Sequence, residues 1–226
     1  RPQAVGPLVV PKDVLDLEIA VDAKPGKYSL VFQYSREIMA TYDYVLEERE
    51  KHSRDRQGFG PEDVIYLLMP DRFANGDPDN DNVAGMLEPA NPQDPNGRHG
   101  GDLKGILRRL DYLSDLGVTA LWLNPVLENN MPRYSYHGYA ITDFYKVDPR
   151  FGSNESYRDF IRECHKNDLK VIMDMVFNHC GIHHWWMNSL PASDWVHQFP
   201  EFTRSNYRSE ALMDPYASDF DKARMN

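Results

Sequence analysis

Val64-Ile65-Tyr66-Leu67-Leu68-Met69 is an apolar run without alternation. A strand with one wet face alternates apolar and polar residues, so an unbroken run reads as a strand of a parallel sheet covered on both faces. Thr119-Ala120-Leu121-Trp122-Leu123 and residues 169–177 read the same way. Between these strands the period changes. Asp102 can cap a helix over residues 102–116, with Leu103, Ile106, Leu107, Leu110 and Leu113 on one face and Gly117 ending it. Residues 155–167 make the next helix. Buried strand, helix, buried strand, helix, buried strand predicts βαβ units and an α/β fold. Two long loops interrupt the pattern, residues 70–101 and a second ending near Asp148.

Upstream of that stretch the chain reads differently. Leu15, Leu17, Ile19 and Val21 alternate with Asp16, Glu18 and Ala20, which predicts a half-buried strand. Ala23-Lys24-Pro25-Gly26 is turn chemistry. Residues 28–34 and 39–46 predict two further strands. Strand and Pro-Gly turn at this spacing suit an immunoglobulin-like sandwich, which needs about 100 residues. The stretch therefore reads as the last strands of a sandwich whose beginning lies elsewhere. Residues 47–60 (EEREKHSRDRQGFG) carry little apolar anchorage and read as a linker. Residues 180–226 are aromatic and irregular, and read as a loop excursion.

Composition removes several classes of function. Lys and Arg number 25 against 35 Asp and Glu, a formal charge of −10. Such a chain repels phosphate backbones and anionic lipid, so neither nucleic acid nor a membrane is an expected partner. No segment approaches the length of apolar sequence that spans a bilayer. Residues 1–14 lack the shape of a signal peptide, so an export signal is expected to be already removed or never present. The two cysteines, Cys164 and Cys180, exclude a disulfide framework and a four-cysteine zinc site. They are expected to be unpaired, one on a helix and one beyond the far end of the following strand.

Three constellations carry candidate chemistry. Asn75, Asp77, Asn80 and Asp81 can wrap a hard cation, because calcium takes six to eight oxygens in irregular geometry. The alternative is a turn cluster, since Asn75-Gly76 and Asp77-Pro78 are turn dipeptides in their own right. An EF-hand is excluded by Asn80 and Met86 at the places that need glycine and glutamate. Asp174 interrupts an apolar strand, where an ionised carboxylate is costly without partners. It reads either as lining a polar interior or as a strand-end aspartate bonded to backbone amides. Tyr134-Ser135-Tyr136-His137-Gly138-Tyr139, with Asp143 and Tyr145 following, offers aromatic faces and polar tips suited to a sugar, or else a packed aromatic loop. The histidines around Asn178-His179-Cys180 lack the His-Glu-x-x-His spacing of a zinc site. Neither a glycine-rich phosphate loop nor a Gly-x-Ser-x-Gly elbow is present.

Taken in order, DVIYLLMPDRFANGDPDND, GGDLKGILRRLDYLSDLGVTALWLNPV, YSYHGYAITDFYKVDPRFG and DLKVIMDMVFNH resemble the α-amylase family of glycoside hydrolases, especially its neopullulanase and cyclomaltodextrinase branch. The resemblance runs from about Asp63 to Phe202 and implies the first strands of a (β/α)8 TIM barrel. It divides the chain into residues 1–50, the end of an N-terminal β-sandwich; 51–62, a linker; 63–179, the first three βα units of the barrel; and 180–226, the start of a loop domain inserted after the third strand. It implies a calcium ion held by Asn75, Asp77, Asn80, Asp81, Gly100 through its carbonyl, and Asp102. Tyr139 is implied to be a stacking platform with His137 beside it, His179 a donor to the same sugar, and Asp174 a structural carboxylate that orients an arginine next to the nucleophile. Asn178 matches a ligand of a second calcium that this branch often lacks.

The family cleaves α-glucosidic bonds with retention, using two carboxyl groups that flank the bond. Both are expected downstream of this segment, so no catalytic nucleophile or acid is assigned within it. The implied whole is a periplasmic or secreted hydrolase of α-1,4-glucans, with a cytoplasmic location as the alternative and dimerisation through the sandwich as a family-level expectation. A non-catalytic amylase-like scaffold and a calcium-stabilised sugar-binding module are the competing readings.

Overall fold

A computed structural model describes residues 17–34, 37–53, 58–190, 192, 194–197, 199–201, 215–216 and 218–219. The chain divides into two units, residues 16–189 and a second made of residues 1–15 with 190–226. In the second unit the Trp195 amide donates to the Ala192 carbonyl at 3.3 Å.

The larger unit begins with an antiparallel pair, β1 (Gly26–Tyr34) and β2 (Glu37–Leu46), in register from Gly26 opposite Leu46, with a bulge at Phe32/Gln33. Asp43 accepts from Ser29 Oγ at 2.7 Å and pairs with Lys27 at 2.6 Å across the two strands. The alternating run before it is not a strand. Residues 17–20 lie outside any strand, residues 21–22 form a turn, and Leu15 and Asp16 fall outside the described residues. Leu17, Ile19 and Val21 are exposed. Alternation yields a strand only against a neighbouring edge, and the sheet here consists of β1 and β2 alone among the described residues.

The expected parallel sheet is present: β3 (Ile65–Leu68), β4 (Ala120–Leu123) and, after two strands of the second loop, β7 (Lys170–Met173), in the order β3-β4-β7. Their register aligns Leu67 with Trp122 and Ile172, and Leu68 with Leu123 and Met173. Alternate rows behave oppositely. Tyr66, Leu68, Leu121, Leu123, Val171 and Met173 pack into the main core. Leu67 is 58% exposed and Trp122 40%. The strands were expected to be covered on both faces, and this second face is open; an apolar face of this kind is buried only where further chain packs on it. Residues 174–177 continue past the last ladder bond without strand pairing.

The segment expected as one helix over residues 102–116 is two, α2 (Leu103–Leu107) and α3 (Leu110–Asp115). Asp102 does cap it, accepting the Gly105 amide at 2.6 Å. The Arg109 amide bonds Ile106 three residues back at 2.9 Å, a tighter turn than an α-helix makes. The apolar face survives the break, with Leu103, Ile106, Leu110 and Leu113 all buried.

The first long loop carries a short helix α1 (Pro70–Phe73) and a 3-10 turn (Pro78–Asn80). The second carries β5 (Leu127–Glu128), antiparallel to β6 (Asp143–Val147), and a 3-10 turn at Ser135–His137. Helix α4 (Asn154–Lys166) begins at Ser153, whose side chain and that of Ser156 cap each other's backbone amides, and buries Tyr157, Phe160 and Cys164. Both cysteines are free, Cys164 buried and Cys180 partly so. No helix among the described residues is long and apolar enough to cross a membrane.

Candidate active site

Past the C-terminal end of β7 stands Asp174, one residue beyond Met173. It sits at the strand end rather than within the strand, and side chains hold it. Its Oδ2 accepts Tyr139 Oη at 2.9 Å and Trp122 Nε1 at 3.2 Å. Trp122 was not among the candidates read from sequence. Its signal was register: with Leu121 and Leu123 facing the core, Trp122 must face the other side, beside the strand that ends in Asp174.

Tyr139 is fixed from a second direction. Its carbonyl meets His179 Nε2 at 2.8 Å. Since a carbonyl only accepts, the proton belongs on Nε2, and Nδ1 is then the acceptor facing the Asn178 amide at 3.2 Å. The Tyr139 amide donates to His137 Nδ1 at 2.9 Å, which puts the His137 proton on Nε2. The His137 and Tyr139 rings lie 5.9 Å apart at 32°. Burial holds the His137 imidazole below the usual histidine range, against an opposing pull from Glu88. Burial, and then the bond to Asp174, push the Tyr139 phenol up. His137, Tyr139, Asp174 and His179 thus come to one place.

The turn that delivers them is set by backbone. Gly138 adopts φ +84, and a Cβ there would stand 2.2 Å from the Pro125 carbonyl oxygen. Asn124 Nδ2 donates to the His137 carbonyl at 3.2 Å. The aromatic stretch is therefore an ordered platform at the end of β4.

A second cluster gathers the residues expected around a cation. Asn75 Nδ2 donates to Asp81 Oδ1 at 2.7 Å, and Asp102 Oδ2 accepts the Gly76 and Asp77 amides at 3.1 and 2.8 Å. Asn80 Nδ2 lies 3.4 Å from the same Asp102 oxygen, while Asn80 Oδ1 is buried without a hydrogen-bond partner. A Cβ on Gly100 would lie 2.4 Å from Asp81 Oδ1, so only glycine lets this backbone approach the carboxyl group. Lys104 pairs with Asp77 Oδ2 at 3.1 Å. Burial pushes the Asp81 carboxyl group up, and Asp102 and Asp71 add to it. Among the described residues no group of three or more His, Cys, Asp or Glu side chains could hold a metal. What gathers instead is a mixed set of side-chain amide and carboxyl groups, with backbone amides on Asp102. An orphaned buried amide oxygen and side chains whose only ligand atoms are oxygens fit a hard cation such as calcium and do not suit zinc.

Between the two clusters lies a buried ionic network that sequence reading did not find. Arg150 Nη2 donates to Asp148 Oδ2 at 2.7 Å and to the Asn129 carbonyl at 2.8 Å, and Nη1 to the Glu88 carbonyl at 3.0 Å. Arg98 pairs with Asp71 at 3.5 Å and lies over the Phe151 ring. Burial works against the Asp148 carboxylate, yet Arg150 and Arg98 hold it below the usual range.

The sequence model of the alpha amylase catalytic domain matches residues 67–213, more than half of the chain. The chain belongs to the alpha-amylase family. Among the family's curated members it is 36% identical over 206 residues to neopullulanase 2 of Thermoactinomyces vulgaris, covering 85% of this chain and 32% of that one. It is 42% identical over 120 residues to a cyclomaltodextrinase of Thermoanaerobacter pseudethanolicus, covering 52% and 20%. Among solved structures, the alpha-amylase of Geobacillus thermoleovorans, complexed with acarbose, superposes with a TM-score of 0.51 at 40% identity over 66% of this chain and 30% of that one. The chain spans about a third or less of the length of these relatives.

Proposed function

We propose that residues 1–226 are part of a retaining hydrolase of α-1,4-glucans of the neopullulanase and cyclomaltodextrinase type, and that this segment supplies part of the subsite holding the sugar to be cleaved. The observation that carries the reading is the double anchoring of Tyr139, its hydroxyl on Asp174 and its carbonyl on His179. A tyrosine anchored at its hydroxyl and at its own backbone carbonyl presents its ring face in a fixed place, which suits the C–H face of a pyranose. His137 Nε2–H beside it suits a hydroxyl of the sugar rim. The orientation of Asp174 by Tyr139 and Trp122 suits a carboxylate that positions an arginine rather than one that attacks carbon. Retention needs two carboxyl groups about 5 to 5.5 Å apart across the bond, and those are assigned to later strands of the barrel.

On the same proposal the sheet β3-β4-β7 is the first part of a closed (β/α)8 barrel, with its open apolar face turned to the barrel interior. Residues 180–226 begin the inserted loop domain, and the β1–β2 pair ends an immunoglobulin-like sandwich through which the protein dimerises. Asn75, Asp77, Asn80, Asp81, Gly100 and Asp102 would hold calcium, which supplies charge that ties the first loop to the start of α2. The location proposed is periplasmic or extracellular.

The test is acarbose binding and maltoheptaose turnover by the full-length protein. Tyr139→Ala is expected to lower kcat/KM by about 100-fold, the scale of losing a positioning contact, with an unchanged circular dichroism spectrum. Wild-type protein that binds no acarbose, or a Tyr139→Ala variant as active as wild type, removes the proposal.

A further inference from the structure

We propose that Glu88 is a positioning residue, whose carboxyl group sets the left-handed turn from which His137 and Tyr139 reach the candidate sugar subsite. The inference rests on the sugar-binding reading of that subsite. Glu88 lies in the first long loop, far in sequence from the platform, and is 8% exposed. Its Oε1 accepts the Tyr134 amide at 3.0 Å and its Oε2 the Ser135 amide at 2.6 Å. These are the two amides at the start of the 3-10 turn Ser135–His137.

The turn needs such a hold. Tyr134 adopts φ 60 and ψ 18, the left-handed region that a bulky residue without glycine's freedom occupies only when its surroundings impose it. With both Glu88 oxygens on consecutive amides, the peptide planes on either side of that residue have one orientation. From there the chain has little freedom: Ser135 is buried, the Gly138 amide closes on the Ser135 carbonyl at 3.2 Å, and Gly138 presses on Pro125. His137 and Tyr139 are the side chains the turn then presents.

Glu88 is itself held on independent bonds. Arg150 Nη1 donates to its carbonyl at 3.0 Å, and the Leu87 amide donates to Asn130 Oδ1 at 2.7 Å. Asn130 Nδ2 in turn donates to the Gly85 carbonyl at 3.0 Å. The loop bearing Glu88 is thus sewn to the loop bearing the platform on both sides of the carboxyl group, so the group arrives in a fixed place.

Glu88→Gln keeps the shape but turns an NH2 group toward one of two amide donors, which breaks one bond and opposes two donors. Acarbose affinity of the full-length protein is read by calorimetry in wild type, Glu88→Gln, Tyr134→Gly and the double variant. Glu88→Gln is expected to weaken binding about tenfold in the wild-type background, and about threefold or less beside Tyr134→Gly, because glycine adopts the left-handed conformation unaided. That dependence on residue 134 is what a purely structural loss of Glu88 would not show. An equal loss in both backgrounds, or none in either, overturns the proposal. Should Glu88→Gln fail to fold, Glu88→Asp, one methylene short of both amides, carries the same cycle. If wild-type protein binds no acarbose, the subsite reading fails by itself. The clamp is then read by hydrogen exchange at the Tyr134 and Ser135 amides, where acceleration of about tenfold in Glu88→Gln supports it and unchanged rates overturn it.

Discussion

Asp63 receives Lys170 Nζ at 2.6 Å, the Gly60 amide at 2.8 Å and Thr119 Oγ1 at 2.8 Å, and so joins the N-terminal ends of β3, β4 and β7. Lys170 above all, then the two other donors, pull its carboxyl group from 3.8 to about 2. A carboxyl group depressed on folding stabilises the fold fully above its unfolded pKa, and the contribution fades as pH falls toward the folded value. Asp63→Asn is therefore expected to lower the melting temperature at pH 6 and to do so much less near pH 2, where the folded carboxylate is itself half protonated. A deficit as large at pH 2 as at pH 6 would show that the residue acts through packing and not through its charge. Of the site residues, His137, Tyr139, Asp174 and His179 were legible because short motifs resembling a known family carry them. Trp122 and Glu88 were not. Trp122 reads as one more apolar strand residue until register shows its face, and Glu88 has no local pattern because its partners lie in another loop.

Helix α4 was legible almost to its ends because Ser153 caps it and the stripe Tyr157, Phe160, Cys164 keeps helical spacing. Ser153→Ala is expected to cost about 1 kcal/mol, the usual loss for a capping side chain, measured by urea unfolding. A neutral result would mean the Ser156 half of the box suffices. The segment before β4 was legible in its apolar face but not in its break, because burial fixes which residues point inward and says nothing of how tightly the backbone turns at Arg109. Loop elements were the least legible: β5 and β6 pair over a few residues and were read as loop, since their pairing follows from the tertiary arrangement and not from period. Gly138→Ala tests how firmly the platform element is built. It places a Cβ against the Pro125 carbonyl at a positive φ, and it is expected to weaken acarbose binding more than about tenfold with a modest fall in melting temperature. Unaltered binding would show that the turn relaxes freely.

At the scale of the molecule, the proposed cation loop and the proposed sugar platform answer to different tests. Calcium at about a hundredfold over its Kd stabilises a protein by about 2.7 kcal/mol, which for a chain of this size raises the melting temperature by roughly 5–10 °C. Metal-free protein that shows neither heat nor a melting shift on calcium titration would remove the cation assignment and leave the platform untouched. Residues 1–226 alone are expected to release no reducing sugar from soluble starch, because Asp77 is paired with Lys104, Asp102 is taken up by backbone amides, and Asp174 is engaged by Tyr139 and Trp122. Release that vanishes with Asp174→Ala would give this chain its own catalytic carboxylate. The α/β class of the middle of the chain was legible because unbroken apolar strands and amphipathic helices alternate there, whereas the open second face was not, since sequence does not say what else packs on a strand. The two anchors on Tyr139 also have a meaning for heredity. The hydroxyl of Tyr139 meets the Asp174 side chain, whereas His179 meets a backbone carbonyl that any residue at 139 would carry, so the fitness of a residue at 139 depends on 174 and not on 179. A library randomising all three should return 139 and 174 as linked combinations, with 179 selected independently of what stands at 139.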